Sequence, residues 1–162
     1  MAGHLCNLKI YDMVTYVLTL QKQFPKGHIC EGQKTDFVYK IASMTKIHTL
    51  RSNYNLWVKR FEKIDKGLAC LSVREWSGSP YRSKQEEVFR LNKYDGIGLE
   101  KLENPDNFIF ALVGKKEINW DEIAKNDGLT FENFCDWFNV RQKEPMAIIH
   151  FTKFRYNHEN PT

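Results

Sequence analysis

The chain has 162 residues, 42% of them hydrophobic and 27% charged, with 24 basic against 20 acidic side chains and a formal net charge of +4. That length suits one domain, 1–162, with a real core, and the composition is that of an ordinary soluble globular protein. The mild basic excess permits an anionic partner. It argues against a protein that merely coats nucleic acid, which is usually more basic.

No apolar run approaches the length of a membrane span. The N-terminal MAGHLCNLKIYDM lacks the apolar core of a signal peptide. The four cysteines (Cys6, Cys30, Cys70, Cys135) are widely and irregularly spaced, as free thiols in a reducing compartment are. A cytoplasmic protein with no membrane partner is therefore expected. The five histidines show no zinc-ligand spacing, so neither a metal nor a cofactor is expected. P-loop, dinucleotide and nucleophile-elbow motifs are absent. Oligomeric state is not readable.

In chain order, residues 14–20 (VTYVLTL) are β-branched and aromatic and predict a strand. Phe24-Pro25-Lys26-Gly27 breaks it. A short helix is predicted over about 35–44, with Phe37, Ile41 and Met44 on one face. A second runs from an Asn53 cap to a Gly67 stop, with Trp57, Phe61 and Ile64 at helical spacing. Residues 68–76 alternate: Ala69, Leu71 and Val73 on a core face, Cys70, Ser72, Arg74 and Trp76 on a polar, aromatic one. Ser77-Gly78-Ser79-Pro80 turns the chain into a hairpin returning towards Phe89 and Leu91. Asp95-Gly96 is a further turn, and 97–102 and 107–113 read as strands. Short helices over 120–125, capped by Asn119, and after Thr130 precede a closing strand over 147–154. Several short, mainly antiparallel strands with a few packed helices predict an α+β fold, its sheet curled into a small barrel.

Chemistry concentrates in Lys46-Ile47-His48-Thr49-Leu50-Arg51. In an extended run Thr49 and Arg51 share a face and Lys46 takes the other, unless a turn or bulge brings it round. A threonine hydroxyl needs a base to become a nucleophile, and a lysine with a lowered pKa can be that base. Arg51 would supply the neighbouring cation or hold an oxyanion. The plainer reading is a surface lysine and a strand threonine. His48 points away from Thr49 and reads as structural.

A second candidate is Ser72, Arg74 and Trp76 with Tyr81 and Arg82 across the hairpin turn. Arginines with exposed rings suit phosphate pairing and base stacking. Equally, those arginines could pair with Glu75, Glu86 or Glu87. Asp127, before Gly128, reads as a turn residue unless the fold brings it to Lys46 and Thr49.

These residues together resemble the ASCH domains of the PUA-like superfamily of small β-barrels, and in particular ASCH-type proteins of phages and mobile elements. The Lys46–Thr49–Arg51 spacing carries the core signature. The likeness extends to Phe24-Pro25-Lys26, Asn53-Tyr54-x-x-Trp57, Leu71-Ser72-Val73-Arg74-x-Trp76, Pro80-Tyr81-Arg82-Ser83-Lys84-Gln85, Asp127-Gly128-Leu129-Thr130 and Ile148-Ile149-His150-Phe151, covering roughly residues 14–156. The resemblance implies a cleft over a barrel that grips RNA, single-stranded nucleic acid or a modified nucleoside. Arg51, Arg74 and Arg82 would contact phosphate and Trp57, Trp76 or Tyr81 stack on a base, with Ser72 beside them. Some small members are amidohydrolases that deacylate a modified cytidine through a lysine, a threonine and a glutamate. By that analogy Lys46 and Thr49 take the first two roles. Asp127, one methylene shorter than glutamate, takes the third. A ribonuclease, or a phage-encoded interaction protein using the same cleft, are further possibilities. The segment 54–66, absent from the smallest members, would reshape or cover the cleft.

Overall fold

The computed structural model describes residues 13–104, 109–138 and 144–158. The N-terminal segment read for a leader, and residues 107 and 108 of the expected strand 107–113, lie outside these. Eight strands and four α-helices follow in chain order: β1 (Val14–Leu20), α1 (Phe37–Ala42), β2 (His48–Arg51), α2 (Tyr54–Asp65), β3 (Ala69–Trp76), β4 (Gln85–Leu91), β5 (Gly98–Glu103), β6 (Phe110–Val113), β7 (Lys116–Asn119), α3 (Trp120–Asn126), α4 (Phe131–Trp137) and β8 (Met146–His150). The fold is α+β with mostly antiparallel sheets.

The helix caps follow their chemistry. The side chains of Asn53, Asn119 and Thr130 accept from the backbone N–H groups of Leu56, Asp121 and Asn133, each satisfying a donor that the first helical turn leaves open. After α2, Gly67 adopts φ +72°, the left-handed conformation that glycine takes without strain. The strand β7 is unannounced by apolar alternation. It exists because Gly114 (φ +62°) closes a tight turn that folds 116–119 back on β6.

The strands form two sheets. One has the order β1-β3-β4, with β1 parallel to β3 and β4 antiparallel to it. The other has the order β2-β8-β5-β6-β7, antiparallel throughout. The expected curled barrel is not what the ladders form: among the described residues they end as two open sheets. At the gap between them a side chain does what a ladder bond would do. Arg51 on β2 donates from Nη2 to the Thr19 carbonyl on β1, at 2.8 Å.

One hydrophobic cluster joins both sheets and all four helices. It includes Leu18 and Leu20 from β1, Phe61 and Ile64 from α2, Leu71 and Val73 from β3, Ile123 from α3, Phe134 from α4, and Ile148 and Ile149 from β8. Burying each such side chain contributes roughly 1.5–3 kcal/mol.

Two expectations are corrected here. Cys70 and Ser72 on β3 do not form an open polar face; both are buried. As the central strand of its sheet, β3 is covered on that side by long side chains from β4. Arg90 donates to Cys70 Sγ at 3.0 Å, and Ser72 donates to Glu87. Trp57 is no base-stacking platform either. It is 5% exposed, within the core on the inner face of α2, with the Arg60 guanidinium 4.5 Å over its ring. Its periodicity with Phe61 and Ile64 already placed it on that face.

Candidate functional site

The run 46–51 is not one continuous strand. Met44 takes φ +59°, and the backbone N–H groups of Thr45 and Lys46 both return to the Lys40 carbonyl at the end of α1. Lys46 thus sits in a turn, outside the strand register that begins at His48. The turn swings its side chain onto the side shared by Thr49 and Arg51.

Asp127 arrives from the other end of the chain. It is the residue that closes α3, followed by Gly128 at φ +77°. The α3 terminus is stitched to the turn by Ile47 N–H donating to the Asn126 carbonyl at 2.9 Å and by Lys40 Nζ donating to the Gly128 carbonyl at 2.9 Å. Position 128 needs glycine for two reasons. Its φ disfavours any Cβ, and a Cβ there would stand 2.9 Å from that of Lys46. That close approach seats the Lys46 stem against the α3 terminus.

Lys46 Nζ donates to the Asp127 carbonyl oxygen at 2.6 Å and to its carboxylate Oδ1 at 2.9 Å. Both residues are 1% exposed and Thr49 is 3% exposed. The ammonium lies 4.2 Å from the centre of the Phe37 ring, a cation–π contact. Burial pulls the Lys46 pKa down to about 8, with Arg51 and Lys40 acting in the same direction, and Asp127 only partly opposes the shift. Burial would raise the Asp127 carboxyl, but the Lys46 cation and His48 outweigh it and hold the pKa below the ordinary carboxylate value.

Arg51 Nη1 donates to Thr49 Oγ1 at 2.8 Å and to the Leu50 carbonyl at 2.7 Å. A cation donating to the hydroxyl oxygen withdraws charge from it and makes its proton easier to remove. With the Thr19 bond, the Arg51 fork is spent on orienting Thr49 and tying the sheets together.

Lys46, Thr49, Arg51 and Asp127 all line one cavity of about 180 Å³, closed by Thr19, Leu20, Gln21, Phe37, Leu129, Trp137 and Phe138. Drug-sized ligands occupy about 300–1,000 Å³, so this space suits a single ring or acyl group rather than a whole nucleotide. Its apolar wall was invisible in the sequence. Phe37 reads there only as part of one face of a short helix.

The hairpin residues lie elsewhere. None of Ser72, Arg74, Trp76, Tyr81 and Arg82 lines the cavity. Ser72 is buried, and Arg74 Nε donates to its hydroxyl at 2.9 Å. Arg74 nevertheless pairs in register with Thr19, which does line the cavity. Trp76 and Tyr81 meet with ring centres 5.2 Å apart, Tyr81 is 89% exposed, and Arg82 is exposed. The turn that carries them, with Ser77 to Pro80, faces residues 21–26 across a groove of about 720 Å³. Gln21 lines both cavity and groove, so the two adjoin.

Among the described residues, no cluster of three or more His, Cys, Asp or Glu side chains is placed to hold a metal ion. No described helix is long and apolar enough to cross a membrane. No protein-family model matches the chain, and searches of curated proteins and of solved structures return no match.

Proposed function

We propose that this chain is an ASCH-like, PUA-like module that takes the base end of a nucleotide or modified nucleoside into the cavity and leads the remainder along the adjoining groove. One observation carries the reading: a buried lysine–aspartate pair, a threonine hydroxyl and an arginine converge from distant segments on a single ring-sized cavity. Burying two charges is costly, and such a pair is retained at sites of binding and chemistry more readily than for stability. The reading takes the two open sheets as a barrel opened at the β1–β2 gap, where the Arg51–Thr19 bond spans the break. In the groove, Lys22 and Lys26 supply charge for phosphate; Arg82 and the Tyr81–Trp76 pair, on the turn beyond Pro80 and outside the groove's lining, supply a further charge and a stacking surface.

Binding is tested by titrating a short single-stranded RNA and free cytidine against the protein while following tryptophan fluorescence, since Trp137 lines the cavity. RNA affinity is expected to fall steeply with salt, and Arg82→Ala to reduce the salt slope by about one. Absence of binding to both probes at low salt would overturn the reading.

A second reading, hydrolysis of an amide on the bound base, is favoured by the Lys46 pKa of about 8. At pH 7 about one Lys46 side chain in ten is then neutral. A neutral amine has two N–H bonds and one lone pair. The two N–H groups match the two Asp127 acceptors, which leaves the lone pair free to accept a proton. Thr49 Oγ would attack the amide carbonyl as Lys46 takes its proton. Collapse breaks the C–N bond, the amine leaves with the proton from Lys46, and an acyl-threonine remains. Water, deprotonated by Lys46, then attacks the acyl carbon; the C–Oγ bond breaks, Thr49 Oγ takes the proton back from Lys46, and the acid leaves.

The test is incubation with N4-acetylcytidine and chromatography of the products. Cytidine release is expected, lost in Thr49→Ala and Lys46→Met. Its kcat/KM should rise with pH and level off above about 8 as Lys46 deprotonates. A flat profile between about pH 6 and 9 would remove Lys46 as the base. Cleavage of a labelled RNA lost in the same variants would favour a ribonuclease instead.

A further inference from the structure

Behind the Lys46–Asp127 pair lies a second set of buried polar groups that neither reading uses. His48 is fully buried on β2, and Tyr156 is 2% exposed. His48 Nε2 lies 2.8 Å from the Tyr156 hydroxyl, which also lies 2.8 Å from Asn126 Nδ2. The other ring nitrogen, His48 Nδ1, faces Asp127 Oδ1 at 3.7 Å. That is too long for a hydrogen bond, and Nδ1 has no hydrogen-bond partner.

The proton directions follow from what each group can do. An amide Nδ2 only donates, so the Tyr156 oxygen accepts from Asn126. The single Tyr156 proton then has His48 Nε2 as its acceptor. A neutral imidazole that accepts at Nε2 carries its proton on Nδ1. The opposite tautomer would leave the Tyr156 proton without this acceptor and aim a bare lone pair at the Asp127 carboxylate. Burial favours the neutral ring, against the pull of Asp127.

We propose that His48 is a positioning residue: Asn126 and Tyr156 fix it as the Nδ1–H tautomer, whose N–H dipole holds the Asp127 carboxylate in place against Lys46. The contact draws on the same Oδ1 that Lys46 uses. By weakening that oxygen as an acceptor, it favours the neutral form of Lys46. The charged and titratable groups around the assembly are Arg51 from β2 and Lys40 from α1, which act on Lys46, Glu100 from β5, which acts on His48 and Tyr156, and Glu122 from α3, which acts on Tyr156. His150 on β8 shows the contrast. Its ring centre is 5.6 Å from that of His48, but its Nε2 meets the Glu100 carboxylate at 2.7 Å. Glu100 also accepts from the Tyr156 and Asn157 backbone N–H groups, and so is an ionised acceptor. His150 therefore carries its proton on Nε2, opposite to His48.

The proposal bears on the same site but needs no ligand to be tested. Of the three buried histidine rings among the described residues, nitrogen-15 NMR of the wild-type protein at neutral pH is expected to show His48 protonated on Nδ1 and His150 on Nε2, while His28 Nδ1 accepts from the Cys30 N–H. His48→Phe removes the Nδ1–H dipole and keeps a planar ring in its place. The Lys46 Nζ titration in that variant should move upward by about 0.5–1 unit, the size of a modest electrostatic contact. An Nε2–H His48 in the wild type overturns the proposal, and that measurement needs no variant to fold. So does a His48→Phe protein whose Lys46 titration is unchanged. Failure to bind or hydrolyse any nucleoside would overturn the proposed function and leave these spectra as they are.

Discussion

Asp127→Ala is expected to destabilise the protein by about 3–5 kcal/mol at pH 7, because it strands a buried lysine. Lys46 is 1% exposed, its charge already faces Arg51 and Lys40, and Asp127 is the acidic partner that offsets its burial. Without Asp127 the Lys46 pKa falls further below about 8. The deficit therefore has a pH signature. Stability rises with pH wherever the unfolded chain binds a proton that the folded one does not. In the wild type that window for Lys46 runs from about 8 up to the ordinary lysine value. In the variant it begins lower. The deficit should be larger at about pH 6 than at pH 8 and level above 8, as read from urea unfolding at each pH. Removing both partners, Lys46→Met with Asp127→Leu, should recover much of the loss, because an apolar pair of similar volume needs no compensation. A double variant no more stable than Asp127→Ala would show that the stranded charge is not the cause.

Phe134→Ala is expected to cost about 3–5 kcal/mol, the range for deleting a fully buried aromatic side chain. Phe134 is the inward residue of α4, wholly buried, with ring centres 4.9 Å from Phe138 and 6.0 Å from Trp120. Phe138 in turn forms part of the cavity wall. The variant should thus unfold at lower urea and also weaken the proposed nucleoside binding before it unfolds, as Phe138 loses the ring it leans on. Phe134→Leu, which keeps most of the volume, should cost clearly less. Equal losses for the two would mean that the cavity term is absent and that this part of the core collapses freely.

Local patterns carried most of the elements. Caps at Asn53, Asn119 and Thr130, the stop at Gly67 and the β-branched run 14–20 all depend on neighbours a few residues away, so they could be read directly. The strand β7 could not. Lys116–Asn119 holds one buried residue, Ile118, and is defined by its hairpin partner rather than by its own pattern. Cys70 and Ser72 misled for a related reason: alternation names two faces, but long side chains from β4 cover the second. Trp57, which the resemblance gives to a base, lies inside, as its helical spacing with Phe61 and Ile64 requires.

For the site, the sequence by itself determined the chemical inventory: a lysine, a hydroxyl and a guanidinium in six residues, and a carboxylate before a glycine at the end of a helix. Only the tertiary structure decided that these meet. The Met44 turn takes Lys46 out of strand register, Gly128 lets the α3 terminus close on its stem, and burial makes Asp127 its counter-charge. Burial and approach are sums over the whole chain, and no window of residues contains them. His48 marks the same boundary. The strand pattern turned it away from Thr49, and the fold set that outward-turned ring against Asp127 and Tyr156.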